Sequence, residues 1–174
     1  MTRASAPARA PARLVFVLVL VLSGCGFHLR NAIVLPADLG PVRVDARDPY
    51  SPLADSLALG LERAGAVPAA DGAEGVAVLD LVAERWGNTP LSVDARGRAQ
   101  EFTLRYAVVF ELRSADDELL VPRQVVELSR DYVSPPTNSI GTDSEREILA
   151  RELRREMSAA ILRRIDAAAR GVAG

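Results

Sequence analysis

Lysine is absent from this 174-residue chain, and cysteine and histidine occur once each, at Cys25 and His28. A single cysteine excludes an intrachain disulfide and a cysteine-rich zinc site. A single histidine leaves no second imidazole for a zinc site and no base within the folded domain for Ser134 or Ser139. The chain holds no Gly-x-Ser-x-Gly elbow, no phosphate-binding glycine loop and no internal repeat. Its longest apolar run, Leu14 to Leu22, would make about 14 Å of helix, well short of a ~30 Å bilayer core. These absences argue against an enzyme, a cofactor or metal protein, and a retained transmembrane helix.

All 21 basic residues are arginine. Codon usage in a GC-rich genome accounts for this, although arginine also suits bidentate contacts to phosphate. Apolar residues make up 49% of the chain and charged residues 25%, an ordinary globular balance. Removing a leader that holds Arg3, Arg9 and Arg13 and no acid takes the formal charge from -2 to -5. A net acidic domain is a poor partner for nucleic acid, so any anionic ligand needs a local basic cluster.

The three leader arginines precede the apolar run, and Ser23 and Gly24 follow it directly before Cys25. A charged start, a short apolar stretch and small residues make a secretory signal. Leu22-Ser23-Gly24-Cys25 resembles the lipobox of bacterial lipoproteins. That resemblance implies removal of residues 1–24, acylation of Cys25 and stable anchoring by two or three acyl chains. Gly26, rather than aspartate, follows the cysteine. By resemblance to sorting rules in enteric bacteria, this favours the outer membrane, on its periplasmic side.

Residues 25–40 then read as a lipidated tether and 41–174 as one α/β domain. Val42-Arg43-Val44 alternates as a first strand. Ser51 and Pro52 open a helix with Leu53, Leu57 and Leu61 on one face, stopped by Gly65. Val76 to Trp86 reads as a strand and Asn88 to Gly97 as a hairpin loop punctuated by Pro90 and Gly97. From Gln100 to Arg113 the alternation is clean: Phe102, Leu104, Tyr106, Val108, Phe110 and Leu112 fall on one face. Asp116-Asp117 marks a turn, and Val121 to Tyr132 a further strand. Thr142 and Glu145 form a capping box ahead of a helix striped by Leu149, Leu153, Met157, Ile161 and Ile165. The expected fold is α+β: a two-layer sandwich, with two amphipathic helices packed on a four-stranded mixed sheet in the order β-α-β-β-β-α.

Several polar residues stand out. Arg96 and Arg98 flank Gly97 at a hairpin tip, where two guanidinium groups can clamp lipid phosphates; the alternative is a solvated turn. Arg105, Arg123 and Arg130 lie on strands and can pair with acids across the sheet. Asp80 and Glu84 read as charges on one solvent-facing strand surface. Trp86 and Tyr132 end strands, where they cap the core or meet a partner.

The run Gly24-Cys25-Gly26-Phe27-His28-Leu29-Arg30, with Leu35-Pro36 after it, resembles the start of the LptE family of LPS-assembly lipoproteins. The resemblance continues through Ala95 to Phe102 and resumes at Glu145, Ile148, Leu149, Glu152 and Met157. It implies a non-enzymatic protein that plugs the LptD β-barrel translocon, supports its assembly and helps deliver lipopolysaccharide to the outer leaflet. It also implies lipopolysaccharide binding through basic residues. The family's basic residue aligns near Ala95, so Arg96 takes its place. Gly141 or Thr142 stands where a second basic residue is expected ahead of the last helix. His28 reads as part of the tether's docking. The competing readings are a lipid-anchored periplasmic enzyme and a binding protein for another envelope component.

Overall fold

Both periodicities reappear in the computed structural model, which describes residues 33–36, 39–70, 72–134 and 139–172. The elements in chain order are β1 (Pro41–Ala46), α1 (Pro52–Arg63), β2 (Val67–Pro68), β3 (Ala77–Val93), β4 (Ala99–Arg113), β5 (Leu119–Val133) and α2 (Ser139–Val172). They build one mixed sheet in the order β2-β1-β3-β4-β5. β1 runs parallel to β2 and β3, and the β3-β4-β5 meander is antiparallel. The leader, Cys25 and His28 lie outside the described residues. Among the described residues no helix is long and apolar enough to cross a membrane.

The α+β layering agrees with the sequence expectation, but the sheet has five strands rather than four. The extra strand is Val67–Pro68, which pairs with Pro41 and Val42 at the edge. Gly65, at φ +98°, lets the chain reverse after α1 and run back along β1. Two residues are too few to leave a period-two signal, and proline is at home on such an edge.

The segment expected to be a loop from Asn88 is strand as far as Val93. β1 pairs with β3 only up to Leu81. Beyond that point one side of β3 is unpaired, so Pro90 forfeits no ladder bond there and still sits opposite Phe102. The turn is thereby confined to Asp94–Arg98. Trp86 is accordingly a mid-strand residue, not a strand end. α2 starts at Ser139, so Thr142 lies inside the helix and does not cap it.

The core lies between the sheet and both helices. Tyr106, Phe110 and Leu112 of β4 are fully buried with Leu79 and Leu81 of β3. Leu53, Leu57 and Leu61 of α1 and Leu153, Met157, Ile161 and Ile165 of α2 close over them. Ser51 caps α1 by accepting the Ala54 N–H at 3.3 Å. Gly60 sits where the helices meet: a Cβ there would fall 2.6 Å from Leu162 Cδ1. Glycine costs a helix interior about 1 kcal/mol relative to alanine, and here that cost is offset by the close approach of Leu162.

A β-bulge sets which residues of β3 face the helices. Asp80 pairs with Glu111 and Ala83 with Val109, so Leu81 and Val82 together oppose Phe110. The extra residue reverses the odd-even pattern. Leu79 and Leu81 face the core before it; Glu84, Trp86 and Asn88 share the face of Val108, Tyr106 and Leu104 after it. Asp80 and Glu84 therefore lie on opposite faces, against the expectation that they share the solvent side.

Candidate functional site

The β3-β4 tip holds the two arginines singled out by spacing. Asp94 Oδ1 accepts the backbone N–H of Arg96 at 2.8 Å and of Arg98 at 3.0 Å, and Gly97 takes φ +74°. The Arg98 guanidinium turns back onto Asp94 Oδ2 through Nε at 2.8 Å and Nη2 at 2.7 Å. These donors, led by the Arg98 backbone N–H, hold the Asp94 carboxyl below its ordinary pKa. The Arg96 side chain is exposed and forms no hydrogen bond or ion pair with a described residue. The two arginines are thus unequal: Arg98 builds the turn and Arg96 is available to a ligand.

The outer sheet face, which neither helix covers, is a ladder of paired charges. Arg43 binds Asp45 at 2.7 Å. Glu111, whose side chain is only 7% exposed, receives Arg113 at 3.0 Å and Arg123 at 2.9 Å. Those two hydrogen-bonded guanidiniums depress the Glu111 pKa. Beside it, burial and the Glu111 charge raise the pKa of Asp80. Farther along, Arg105 pairs with Glu127, and the Thr103 hydroxyl donates to Asp131 at 2.7 Å. Arg105 and Arg123 pair across the sheet as anticipated, whereas Arg130 reaches Glu156 on α2 at 2.5 Å.

The inner face carries two features that sequence reasoning did not find. Glu84 accepts the Ser51 hydroxyl at 2.8 Å and the Tyr106 hydroxyl at 2.5 Å. Trp86 stacks on Tyr106 with ring centroids 3.8 Å apart, and the Arg154 guanidinium lies 5.5 Å from the Trp86 ring. The bulge hides both, because without it Glu84 and Trp86 are assigned to the wrong face. Asn88 Nδ2 donates to the Tyr132 hydroxyl at 2.9 Å, and Tyr132 stacks on Phe102. Tyr132 therefore braces the hairpin from within.

Among the described residues no group of acids, histidines or cysteines is placed to hold a metal ion. Ser51, which meets the half-buried Glu84 carboxylate, spends its hydroxyl hydrogen on Glu84 and its lone pair on the α1 cap. The chemistry on offer is charge pairing and anion contact.

Known proteins share this fold. The lipopolysaccharide-assembly LptE family profile matches residues 39–165. An LPS-assembly lipoprotein LptE from Photorhabdus laumondii is 31% identical over 152 residues, covering 87% of this chain and 82% of that protein. The crystal structure of rare lipoprotein B from Shewanella oneidensis aligns with a TM-score of 0.66 at 24% identity, over 78% of this chain and 100% of the other. The solution structure of lipoprotein B from Nitrosomonas europaea aligns at 0.63 with 26% identity, over 82% and 91% of the two chains. Profile and relative agree across most of the folded domain, and on that ground this chain belongs to the LptE family of lipopolysaccharide-assembly proteins.

Proposed function

We propose that the protein is an outer-membrane lipoprotein, cut before Cys25 and acylated there, whose domain lodges in the LptD β-barrel and supports delivery of lipopolysaccharide to the outer leaflet. Like its family it is not an enzyme. The observation that carries the reading, beyond family membership, is the uncovered sheet face with most of its charges already paired. A plug must meet a polar lumen, and pre-paired charges enter such a surface without stranding an ion.

The tether supports the anchored reading. Ile33 and Leu35 pack on the core, and the Val34 N–H donates to Asp166 Oδ1 at 2.7 Å near the end of α2. Arg170 first and Val34 second hold the Asp166 pKa low. Eight residue steps separate Cys25 from Ile33, a reach of at most about 28 Å at full extension. An acyl group on Cys25 therefore keeps the domain close to the membrane.

The test is extraction of the tagged native protein in mild detergent. A stoichiometric complex with a large barrel protein is expected; recovery as a lone monomer overturns the plug. Arg96 and Arg98 are the proposed lipopolysaccharide contacts. Arg96→Asp with Arg98→Asp should weaken lipopolysaccharide binding roughly tenfold or more, since each charge-assisted contact is worth about 1.5–3 kcal/mol. Arg96→Asp alone should give most of that loss, because Arg98 is already engaged by Asp94. Equal affinity of native and doubly substituted protein discards the site.

A further inference from the structure

Between α1 and the β1-β2 edge of the sheet runs an open groove of about 500 Å³. Its floor is apolar: Val44 of β1, Pro68 of β2, and Ala58 of α1 with Leu59, which is 50% exposed. β1 continues to Ala46, but its pairing with β2 stops at Val42. Among the described residues no strand lies outside Arg43–Ala46. That stretch of edge keeps backbone donors and acceptors for another extended chain.

The charge of the groove is one-sided. Asp55 and Glu62, both exposed on α1, flank Leu59. Neither carboxylate has a hydrogen bond or ion pair with a described residue. Among the described residues no arginine lines the groove, whereas elsewhere arginines hold Asp94, Glu111 and Asp166. Glu62 lies in the last turn of α1, where the helix dipole opposes a negative charge. An unpaired acid in that place is stabilised by a cation brought from outside the domain.

The two acids are seven residues apart, about 10 Å along the helix axis. In an extended chain every second side chain faces the same way, and residues four apart are separated by about 13 Å. Long basic side chains at two such positions reach both carboxylates, and an apolar residue midway between them meets Leu59 and Val44.

We propose that this groove docks an extended segment of a partner protein, added as a strand beside β1 and carrying basic, apolar and basic side chains on alternate residues. Backbone bonds to the open edge supply affinity, and the acids and apolar floor select the sequence. The inference goes beyond the plug reading, since it concerns the chemistry of the docked segment and not the shape of the protein that supplies it.

The experiment places a photo-reactive phenylalanine analogue at Leu59 of the full-length lipoprotein in its native host, and at Val125 on the outer sheet face as a control. Cross-linked products are isolated from membranes, and the attached peptide is sequenced by mass spectrometry. One product from Leu59 is expected, joined to a segment with the alternating basic, apolar and basic pattern. Asp55→Arg with Glu62→Arg should lower its yield about tenfold, because two attractions become two repulsions, and should leave the yield from Val125 unchanged. Asp55→Asn with Glu62→Gln, which keeps the shape of both side chains, should lower it less. Glutamate in place of the two basic residues of the captured segment should restore the yield of the charge-reversed protein. The proposal is overturned by absence of a product from Leu59, by an attached segment without the pattern, by equal yields with native and reversed charges, or by an equal fall at Val125. Plug and groove fail separately. A stoichiometric barrel complex without a product from Leu59 leaves the plug standing and overturns the groove, whereas a patterned segment captured from another protein, with no barrel complex, does the reverse.

Discussion

Phe110→Ala should destabilise the domain by about 3–5 kcal/mol, as expected for a fully buried aromatic that leaves a cavity. Phe110 stands opposite the two bulge residues of β3, on the sheet face that the helices cover. Val125→Ala on the other face should cost less than about 0.5 kcal/mol, since Val125 is 56% exposed beside Val109. The measurement is chemical denaturation of both variants beside the native protein. For a domain of this size the first should also lower the melting temperature by roughly 10 °C. Comparable losses from the two substitutions would mean that the outer face is as structural as the inner one. The two-layer account, and with it the freedom of the charged face to meet a partner, would then be wrong.

That asymmetry was legible wherever periodicity ran unbroken. From Leu104 to Leu112 every even position is large and apolar, and each is buried. In α2 the i+4 series begins with a half-buried Leu149, and Leu153, Met157, Ile161 and Ile165 after it are all buried. Legibility ended where the backbone departed from regularity. One extra residue at Leu81–Val82 reversed the faces of β3, so Glu84 was read as a solvent charge and Trp86 as a strand end. Pro90 read as a breaker because its tolerance depends on where β1 stops pairing, a tertiary fact. The tip arginines were found by their spacing around Gly97, but not their inequality, which depends on Arg98 folding back onto Asp94. Arg154 carries no local signal: its aromatic partner is Trp86, on a strand far away in sequence.

Glu84→Ala is the sharpest test of the reversed face. The carboxylate ties three elements together, receiving the Ser51 hydroxyl at the start of α1 and the Tyr106 hydroxyl on β4. Hydrogen bonds to a charged group are worth about 1.5–3 kcal/mol, and a buried hydroxyl left without an acceptor costs about 1–3 kcal/mol. A loss of roughly 2–3 kcal/mol is expected, whereas a solvent-facing glutamate would give less than about 0.5. Glu84→Gln retains an acceptor oxygen and should lose less. The network also sets a pH signature. Burial first, then the hydrogen bond and charge of Glu84, raise the Tyr106 pKa above its ordinary value. A group raised on folding stabilises below its unfolded pKa, near 10 for tyrosine, and loses that contribution as pH climbs from there towards its folded value. Stability should therefore fall from about pH 10 upwards, and the fall should level off at lower pH in Glu84→Ala, where burial alone still holds the proton on Tyr106. Identical alkaline limbs for the two proteins would show that Glu84 does not act on Tyr106, and that the bulge does not turn it inward.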